Sequence, residues 1–335
     1  MPLKKTKLAL WLLVLIQTTS CARPDQAEFL FTYAQSQPLS SLRGKSMQFF
    51  EEELEKRTNG RIQVDLYCGG VLGTEREQMD FVATGALQGT RGGFFADANP
   101  KFKILTMPFL VEDWDQAIRL VNSPFMQKIN ADASENGWHI PATGISQGFR
   151  AHTNNTRPIL SPADLRGLKM RVPPQAVFVK TAQAFGANPQ EIPSTEIYQA
   201  LQTGVVDGQD NPPANIWDYK IFEVSKYMTI TNYATGPDPL MVSLAWYETL
   251  PADLQQAFDE IAREAIAYSD QLNRENETQF VEKLREKLEI NVVTGERLVE
   301  FQKAVAPVYQ YYIDKGEITQ TEVDQARAAA RGDKP

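Results

Sequence analysis

The sequence has few of the residues on which metal enzymes and disulfide-rich proteins depend. Its 335 residues include only two cysteines, Cys21 and Cys68, and two histidines, His139 and His152. Two cysteines cannot form a disulfide framework. These four residues also lack the spacing of metal ligands, which argues against a zinc enzyme. We therefore expect no bound metal.

Positive charge is scarce as well. Lys and Arg together number 34, against 42 for Asp and Glu, so the net charge is −8. A nucleic-acid-binding surface normally needs an excess of positive charge, and we expect no nucleic-acid partner. The hydrophobic fraction of 42% and the charged fraction of 23% are ordinary for a globular protein. The length predicts about two domains of roughly 150 residues each.

No stretch of the sequence reaches the roughly 20 apolar residues of a membrane-spanning helix. The apolar run at residues 8–16 follows three lysines and precedes small polar residues. That order of charge, apolar run and small residues is typical of a secretory signal peptide, which we assign to residues 1–20.

Cys21 directly follows this segment. Thr19 and Ser20 before Cys21 resemble a bacterial lipoprotein box, which predicts a diacylglyceryl anchor on Cys21. Two alternatives remain open. One is plain cleavage near Ser20 or Ala22, which would release a soluble protein, and the other is a Cys21–Cys68 disulfide.

Strand and helix patterns alternate along the rest of the chain. Apolar residues alternate at residues 29–33 and 62–66, and residues 41–58 between them have helical spacing. This order predicts an α/β domain with a largely parallel sheet. The pattern restarts after Gly148, which we take as a domain junction. Residues 101–110 are predicted to be a strand broken at Pro108. Residues 252–288 are predicted to be almost wholly helical, as one helix spanning two lobes with a break near residues 270–276.

Enzyme motifs are missing. The sequence contains no Walker loop, G-x-G-x-x-G, G-x-S-x-G or H-E-x-x-H motif. His139 enters an apolar strand and His152 lies close to Arg150, so both are interpreted as structural. No pair of carboxylates stands out for acid–base chemistry. We therefore expect neither catalysis nor a cofactor.

A set of ordered motifs resembles the solute-binding proteins of tripartite ATP-independent periplasmic (TRAP) transporters. The strongest are residues 162–173 (PADLRGLKMRVP), 196–212 (EIYQALQTGVVDGQDNP) and 222–227 (FEVSKY). Residues 58–61 (TNGR), 72–77 (LGTERE) and 107–110 (MPFL) also match, in the family's order.

The resemblance implies a periplasmic protein with two α/β lobes around a ligand cleft, braced by a long helix. It implies lobe I at residues 25–148 and about 235–270. Lobe II would comprise residues 149–234 and about 271–325, with a helical C-terminal part. The lobes would close on a small organic acid and deliver it to an ion-gradient-driven membrane permease.

The resemblance also assigns site residues in the second half of the chain. Arg171 matches the arginine that grips the ligand carboxylate, which suits a planar guanidinium with two parallel donors. Asn211 matches an amide that hydrogen-bonds the same group. Arg150 matches a supporting position near the ligand, with a role behind Arg171 as the alternative.

Candidates in the first half are Glu75, which would face ligand hydroxyls, and Gln35 and Ser36 after the first strand. Arg91 lies beside glycines and is expected to bring another positive charge to the ligand. Tyr233 replaces a common histidine and either reaches the cleft or packs. Ser194 replaces a phenylalanine that covers the ligand in many relatives.

Two other functions remain as alternatives, a sensory receptor subunit of similar fold and a two-lobed α/β enzyme. The ligand's identity stays open among dicarboxylates, sugar acids, keto acids and amino acids.

Overall fold

The structure is a computed structural model that describes residues 27–92, 95–145 and 147–333. The predicted signal peptide and the predicted lipid site Cys21 lie outside the described residues. No helix within the described ranges combines the length and apolar character that a membrane crossing requires.

The described residues form two mixed sheets. The strands, in chain order, are Phe29–Ala34 (β1), Ile62–Tyr67 (β2), Gly89–Arg91 (β3), Trp138–His139 (β4), Thr143–Ile145 (β5), Ala151–Asn154 (β6), Lys169–Val172 (β7), Asn188–Glu191 (β8), Gly208–Asn211 (β9), Tyr227–Ile230 (β10), Pro237–Ser243 (β11) and Glu289–Val292 (β12).

Helices cover both sheets. The α-helices are Leu42–Arg57 (α1), Glu75–Ala83 (α2), Trp114–Val121 (α3), Pro124–Asp132 (α4), Ala176–Ala184 (α5), Ile197–Gln202 (α6), Pro213–Asp218 (α7), Leu244–Tyr247 (α8), Ala252–Arg285 (α9), Gly295–Ala304 (α10), Ala306–Asp314 (α11) and Gln320–Arg331 (α12). The 3₁₀ helices are Phe95–Asp97, Pro100–Thr106, Ala133–Asn136, Pro162–Leu165, Ser194–Glu196 and Ile221–Glu223.

The first sheet has the order β2-β1-β3-β11-β4, with β5 also paired to β11. β1 is parallel to β2 and β3, whereas β11 is antiparallel to its three neighbours. The second sheet has the order β12-β10-β6-β9-β7-β8. In it β6 is antiparallel to β9 and β10, and the other pairs are parallel. Both sheets are therefore mixed where a largely parallel sheet was expected, because β11 in the first sheet and β6 in the second run antiparallel to all of their neighbours.

An aromatic cluster fills the space between the first sheet and its covering helices. Phe31 lies 5.7 Å from Phe50 of α1 and 5.1 Å from Phe258 of α9, centroid to centroid, with edge-on rings. Such offset pairs add roughly 0.5–1.5 kcal/mol each beyond the burial of their area. The alternating apolar side chains of β1 and the apolar stripe of α1 therefore pack in one core.

Helix α9 is continuous over 34 residues. Phe258, Ile261 and Ala265 belong to the core beneath the first sheet. Leu284, near the other end, belongs to the core of the second sheet together with Met228. The long bracing helix is confirmed, and the predicted break near residues 270–276 is wrong. Within that segment Asp270 and Asn273 are buried, and Asp270 accepts a hydrogen bond from Ile145 N at 2.8 Å.

The strand predicted at residues 101–110 is also wrong, because Pro100–Thr106 forms a 3₁₀ helix. Asn99 caps this helix by accepting a hydrogen bond from Lys101 N at 3.0 Å, and Pro100 occupies its first turn. Proline is well suited to that position, since its φ is preset and it has no N–H to satisfy there.

Candidate functional site

A cavity of about 90 Å³ lies between the two sheets, where several strands end. β1 ends just before its lining residues Ser36 and Gln37, and β9 ends in it at Asn211. The remaining lining residues are Arg43, Glu75, Gly92, Phe95, Arg150, Arg171, Pro173, Pro174, Gln175, Phe178, Ser194, Asn215, Tyr219, Gly236 and Pro237. Ligand sites of α/β sheets commonly lie at such carboxyl ends.

Arg171 presents a buried guanidinium to this cavity. It lies on β7, held between β8 and β9, and is 2% exposed. Its Nε donates to the carbonyl of Ile192 at 2.6 Å. Among the described residues, its two terminal nitrogens have no hydrogen-bond partner. Burial, together with the positive charge of Arg150, lowers the pKa of Arg171 to about 10. An anion bound here would stabilise the charged form.

Arg150, in contrast, has a counter-charge. Its Nε forms an ion pair with the carboxylate of Asp210, and Nη2 donates to the Asp210 carbonyl at 2.5 Å. The guanidinium lies 4.7 Å above the ring of Phe178. Burial has the largest effect and lowers the pKa of Arg150, but Asp210 and Tyr233 outweigh it and the net pKa is raised. Arg150 thus lines the cavity as one half of a neutral pair.

Asn211 lies beside these arginines, paired across the sheet with Ala151. Its Nδ2 donates to Gln209 Oε1 at 2.5 Å, and its Oδ1 accepts a hydrogen bond from Asn215 at 3.4 Å. The amide is therefore oriented by two other amides. Its remaining donor capacity is available to a carboxylate oxygen.

Glu75 brings a carboxylate from the first lobe into the cavity wall. It is the first residue of α2, whose N-cap is Thr74. Its Oε1 accepts hydrogen bonds from Ser36 Oγ at 2.9 Å and from Ser194 Oγ at 2.5 Å. Ser36 also lies 3.4 Å from Tyr219 Oη. Because Ser194 and Tyr219 follow strands of the second sheet, these hydroxyls join the two lobes.

Three predicted site residues are not in the cavity wall. Arg91 is 1% exposed, and its Nη2 pairs with Asp238 at 2.8 Å, which corrects the expectation that it brings its charge to the ligand. Asp238 lies close to Arg91 because β11 pairs with β3, and no local pattern in the sequence predicts that pairing.

Gln35 is fully buried and donates to Cys68 Sγ at 3.3 Å. Of the predicted pair Gln35 and Ser36, Ser36 alone lines the cavity. Tyr233 packs, which was one of its two expected roles. Its ring stacks on His152 at 5.2 Å, and its hydroxyl donates to Asp210. It thereby supports the carboxylate that pairs with Arg150.

Sequence reasoning missed Arg43 and Tyr219, which both line the cavity. Arg43 carried a readable signal. It falls in register with Met47, Phe50 and Leu54 on the buried stripe of α1. A charged residue on an apolar helix face needs a partner or a function. Tyr219 carried no such signal, because a tyrosine in that stretch of sequence is equally consistent with ordinary packing.

A family model described as "Bacterial extracellular solute-binding protein, family 7" matches residues 33–315. The chain belongs to this family. The resemblance to TRAP solute-binding proteins is therefore confirmed. Membership indicates a solute-binding protein of the periplasm, while the lipid anchor stays a prediction.

Relatives and solved structures agree with this assignment. A "solute-binding protein" of Verminephrobacter eiseniae is 32% identical over 271 residues, covering 80% of each chain. The C4-dicarboxylate-binding periplasmic protein DctP of Rhodobacter capsulatus is 27% identical over 303 residues, covering 88% of each chain.

Two crystal structures of TRAP periplasmic solute-binding proteins share the fold. One, from Haemophilus influenzae with bound L-gulonate, has a TM-score of 0.86 at 26% identity, covering 90% of this chain and 99% of its own. The other, from Sulfurospirillum deleyianum with bound succinate, has a TM-score of 0.85 at 26% identity, covering 91% and 100%. The predicted two-lobed α/β fold of this family 7 protein is confirmed.

Within the described residues, no group of three or more His, Cys, Asp or Glu side chains is arranged to hold a metal ion. The walls of the cavity carry guanidinium, amide, hydroxyl and carboxylate groups, which can bind a ligand by hydrogen bonds and charge.

Proposed function

We propose that this family 7 protein is the extracytoplasmic subunit of a TRAP transporter. It captures a small organic acid by its carboxylate and delivers it to an ion-gradient-driven membrane permease. It releases the acid chemically unchanged.

The observation that carries this proposal is the state of Arg171. A guanidinium that is 2% exposed, with both terminal nitrogens unpartnered among the described residues, favours an anion at the cavity. A carboxylate matches the planar fork of the side chain and accepts two parallel hydrogen bonds. The adjacent amide of Asn211 supplies a neutral donor to the same group.

The size and polarity of the cavity also support a small acid. Its volume of about 90 Å³ lies well below the roughly 300–1,000 Å³ of pockets for drug-sized ligands. The relatives with bound L-gulonate and succinate hold acids of this class.

A thermal-shift screen of organic acids, followed by calorimetry, tests the proposal. A ligand that binds only the native state raises the melting temperature in proportion to its affinity and concentration. We expect at least one small carboxylic acid to do so, and mass spectrometry should recover it unaltered. Arg166→Ala, which removes an exposed arginine of the same lobe, is the matched control for Arg171→Ala. Equal binding of acids by Arg171→Ala and Arg166→Ala would contradict the proposal, as would turnover of the acid.

We further propose the lobe division given by the resemblance, with residues 25–148 and about 235–270 in one lobe and residues 149–234 and about 271–325 in the other. The strand ranges support it, since the first sheet uses residues 29–145 and 237–243 and the second uses 151–230 and 289–292.

A further inference from the structure

One carboxylate in the first lobe is shared by two arginines. Asp238 Oδ1 lies 3.0 Å from Arg43 Nη2, and its Oδ2 lies 2.8 Å from Arg91 Nη2. The side chains of Arg43, Arg91 and Asp238 are 5%, 1% and 0% exposed. This buried cluster therefore carries one positive charge more than its carboxylate neutralises. The Arg150–Asp210 pair in the other lobe is balanced one to one.

A surplus charge in a low-dielectric interior is costly unless another group compensates it. Asp270 is a second carboxyl group whose charge acts on Arg91. Burial raises the pKa of Asp270 to about 7, so at neutral pH this group is only partly ionised. The carboxylate of Asp218 interacts with Lys45 and, to a smaller extent, with Arg43. It therefore compensates the charge of Arg43 only in part. The cluster thus keeps positive character at neutral pH.

Of the two arginines, only Arg43 reaches the cavity wall. Arg91 lies behind it, where it also donates to Ser46 Oγ at 2.5 Å. Gly92 leaves room for the guanidinium of Arg43, since a Cβ at Gly92 would lie 3.0 Å from Arg43 Nη1. Arg43 on α1 and Arg171 on β7 therefore line the same cavity from opposite lobes.

We propose that Arg43 determines ligand specificity by binding an oxygen atom on the part of the acid that is remote from the carboxylate held by Arg171. Asp238 and Arg91 position Arg43 for this contact. This inference rests on the proposed function and narrows its substrate class.

The charges around the cavity determine whether the oxygen atom bound by Arg43 belongs to a second carboxylate or to a neutral group. Arg171 contributes one positive charge, and the Arg43–Asp238–Arg91 cluster contributes at most one, since the nearby Asp270 is partly ionised. Glu75 contributes one negative charge, and Arg150–Asp210 is neutral. A ligand with a single negative charge balances this set, whereas a dicarboxylate leaves it negative. The remote oxygen is therefore a neutral hydroxyl or keto oxygen, and the ligand is an oxygenated monocarboxylic acid.

Calorimetry with three matched series of acids tests this inference. The series are aldonates of three to six carbons, the unsubstituted alkanoates of the same lengths, and the dicarboxylates of the same lengths. We expect the wild type to bind an aldonate most tightly. In Arg43→Gln the ratio of aldonate to alkanoate affinity should fall about 10- to 100-fold, as expected for a hydrogen bond to a charged group. Arg43→Lys should retain part of the wild-type ratio of aldonate to alkanoate affinity.

The melting temperature without ligand separates this role from a structural one. Arg43→Gln leaves Arg91 and Asp238 as a balanced pair, so the variant should still fold and its affinity ratio can be measured on native protein. A lowered melting temperature with an unchanged affinity ratio would make Arg43 a structural ion-pair residue and overturn the inference. Tightest binding of a dicarboxylate would overturn the charge argument.

Failure of the proposed function gives a different result. In that case no acid of the three series binds the wild type, or Arg171→Ala binds them as tightly as the wild type does. Loss of all binding in Arg171→Ala, with an unchanged aldonate preference in Arg43→Gln, leaves the proposed function standing and rejects the inference alone.

Discussion

The hydroxyl of Ser194 donates a 2.5 Å hydrogen bond to the carboxylate of Glu75, which lies on the opposite lobe. Ser36 and Tyr219 form a second contact between the lobes at 3.4 Å. Both contacts are made by residues of the cavity wall. The walls that would hold a ligand therefore also hold the lobes together.

This relationship predicts ligand-coupled closure. A ligand that contacts both lobes stabilises the arrangement in which they meet, and so shifts the population toward it. Small-angle X-ray scattering should show a smaller radius of gyration with a verified ligand than without one. Ser194→Ala removes one contact between the lobes without touching Arg171, and it should weaken closure only in part. An identical radius of gyration in both states would count against coupled closure.

Arg171→Ala should severely weaken binding while leaving the fold intact. Removing one partner of a buried charge pair costs on the order of 3–5 kcal/mol, which is roughly a 100- to 1,000-fold or greater loss of affinity. Arg171→Lys should also bind poorly, because an ammonium keeps the charge but loses the planar fork. Calorimetry with the acid found in the screen measures both variants.

Asn211→Ala should lose less affinity than either Arg171 variant, because only a neutral donor is removed. A net contribution of about 0.5–1.5 kcal/mol corresponds to roughly a 2- to 13-fold loss. The same calorimetry, with Arg166→Ala as the control, gives the order of the three variants. A larger loss for Asn211→Ala than for Arg171→Ala would reverse the assigned roles.

Asp210→Asn should destabilise the second lobe. The substitution leaves the buried Arg150 guanidinium without its counter-charge, at a cost of about 3–5 kcal/mol. Tyr233→Phe removes only one hydrogen bond to Asp210 and should cost about 1 kcal/mol. Urea denaturation measures both, with the exposed Asp324→Asn as a control. Equal stability of Asp210→Asn and the control would show that Arg150 does not depend on the pair.

Asp270 predicts a pH dependence of stability. Burial is the main cause that raises its pKa to about 7, and Asp238 adds to it, although the amide of Ile145 and the charge of Arg91 oppose the shift. The unfolded pKa is about 3.9. The folded state therefore binds the proton more tightly, and the stability from this group is present below about pH 4 and lost as the pH rises to about 7.

The melting temperature of the wild type should accordingly fall more between pH 5 and pH 8 than that of Asp270→Asn. The difference in free energy of unfolding is on the order of a few kcal/mol. Identical pH profiles for the two proteins would show that Asp270 titrates normally in the folded state.

The lipid anchor on Cys21 is tested by mass spectrometry of the protein from its native membrane. The lipoprotein-box resemblance predicts a diacylglyceryl-modified cysteine as the first residue. Cys21→Ala should release the protein into the soluble fraction. An unmodified mature terminus at Ala22 or Arg23 would support plain cleavage instead.

Local patterns in the sequence were enough to place several elements of the fold. The alternation in β1 and β2 and the apolar stripes of α1 and α9 depend on neighbours a few residues away, so periodicity reveals them. The ordered motifs revealed the family. The 3₁₀ helix at Pro100–Thr106 was missed because its apolar residues resemble a buried strand when proline capping is ignored.

The candidate site likewise has residues that the sequence identified and contacts that only the tertiary structure revealed. Arg171, Glu75 and Asn211 could be named from the sequence because each lies in a motif. Ser36 was named because it follows the first strand, and Arg150 because it matches a supporting position of the family. The structure brings all five to one cavity. Whether a given arginine faces that cavity was decided only by the tertiary structure. Asp238, far along the chain, turns Arg91 inward and shares its carboxylate with Arg43. Charge pairing between distant residues depends on which strands become neighbours, and no local spacing in the sequence encodes that.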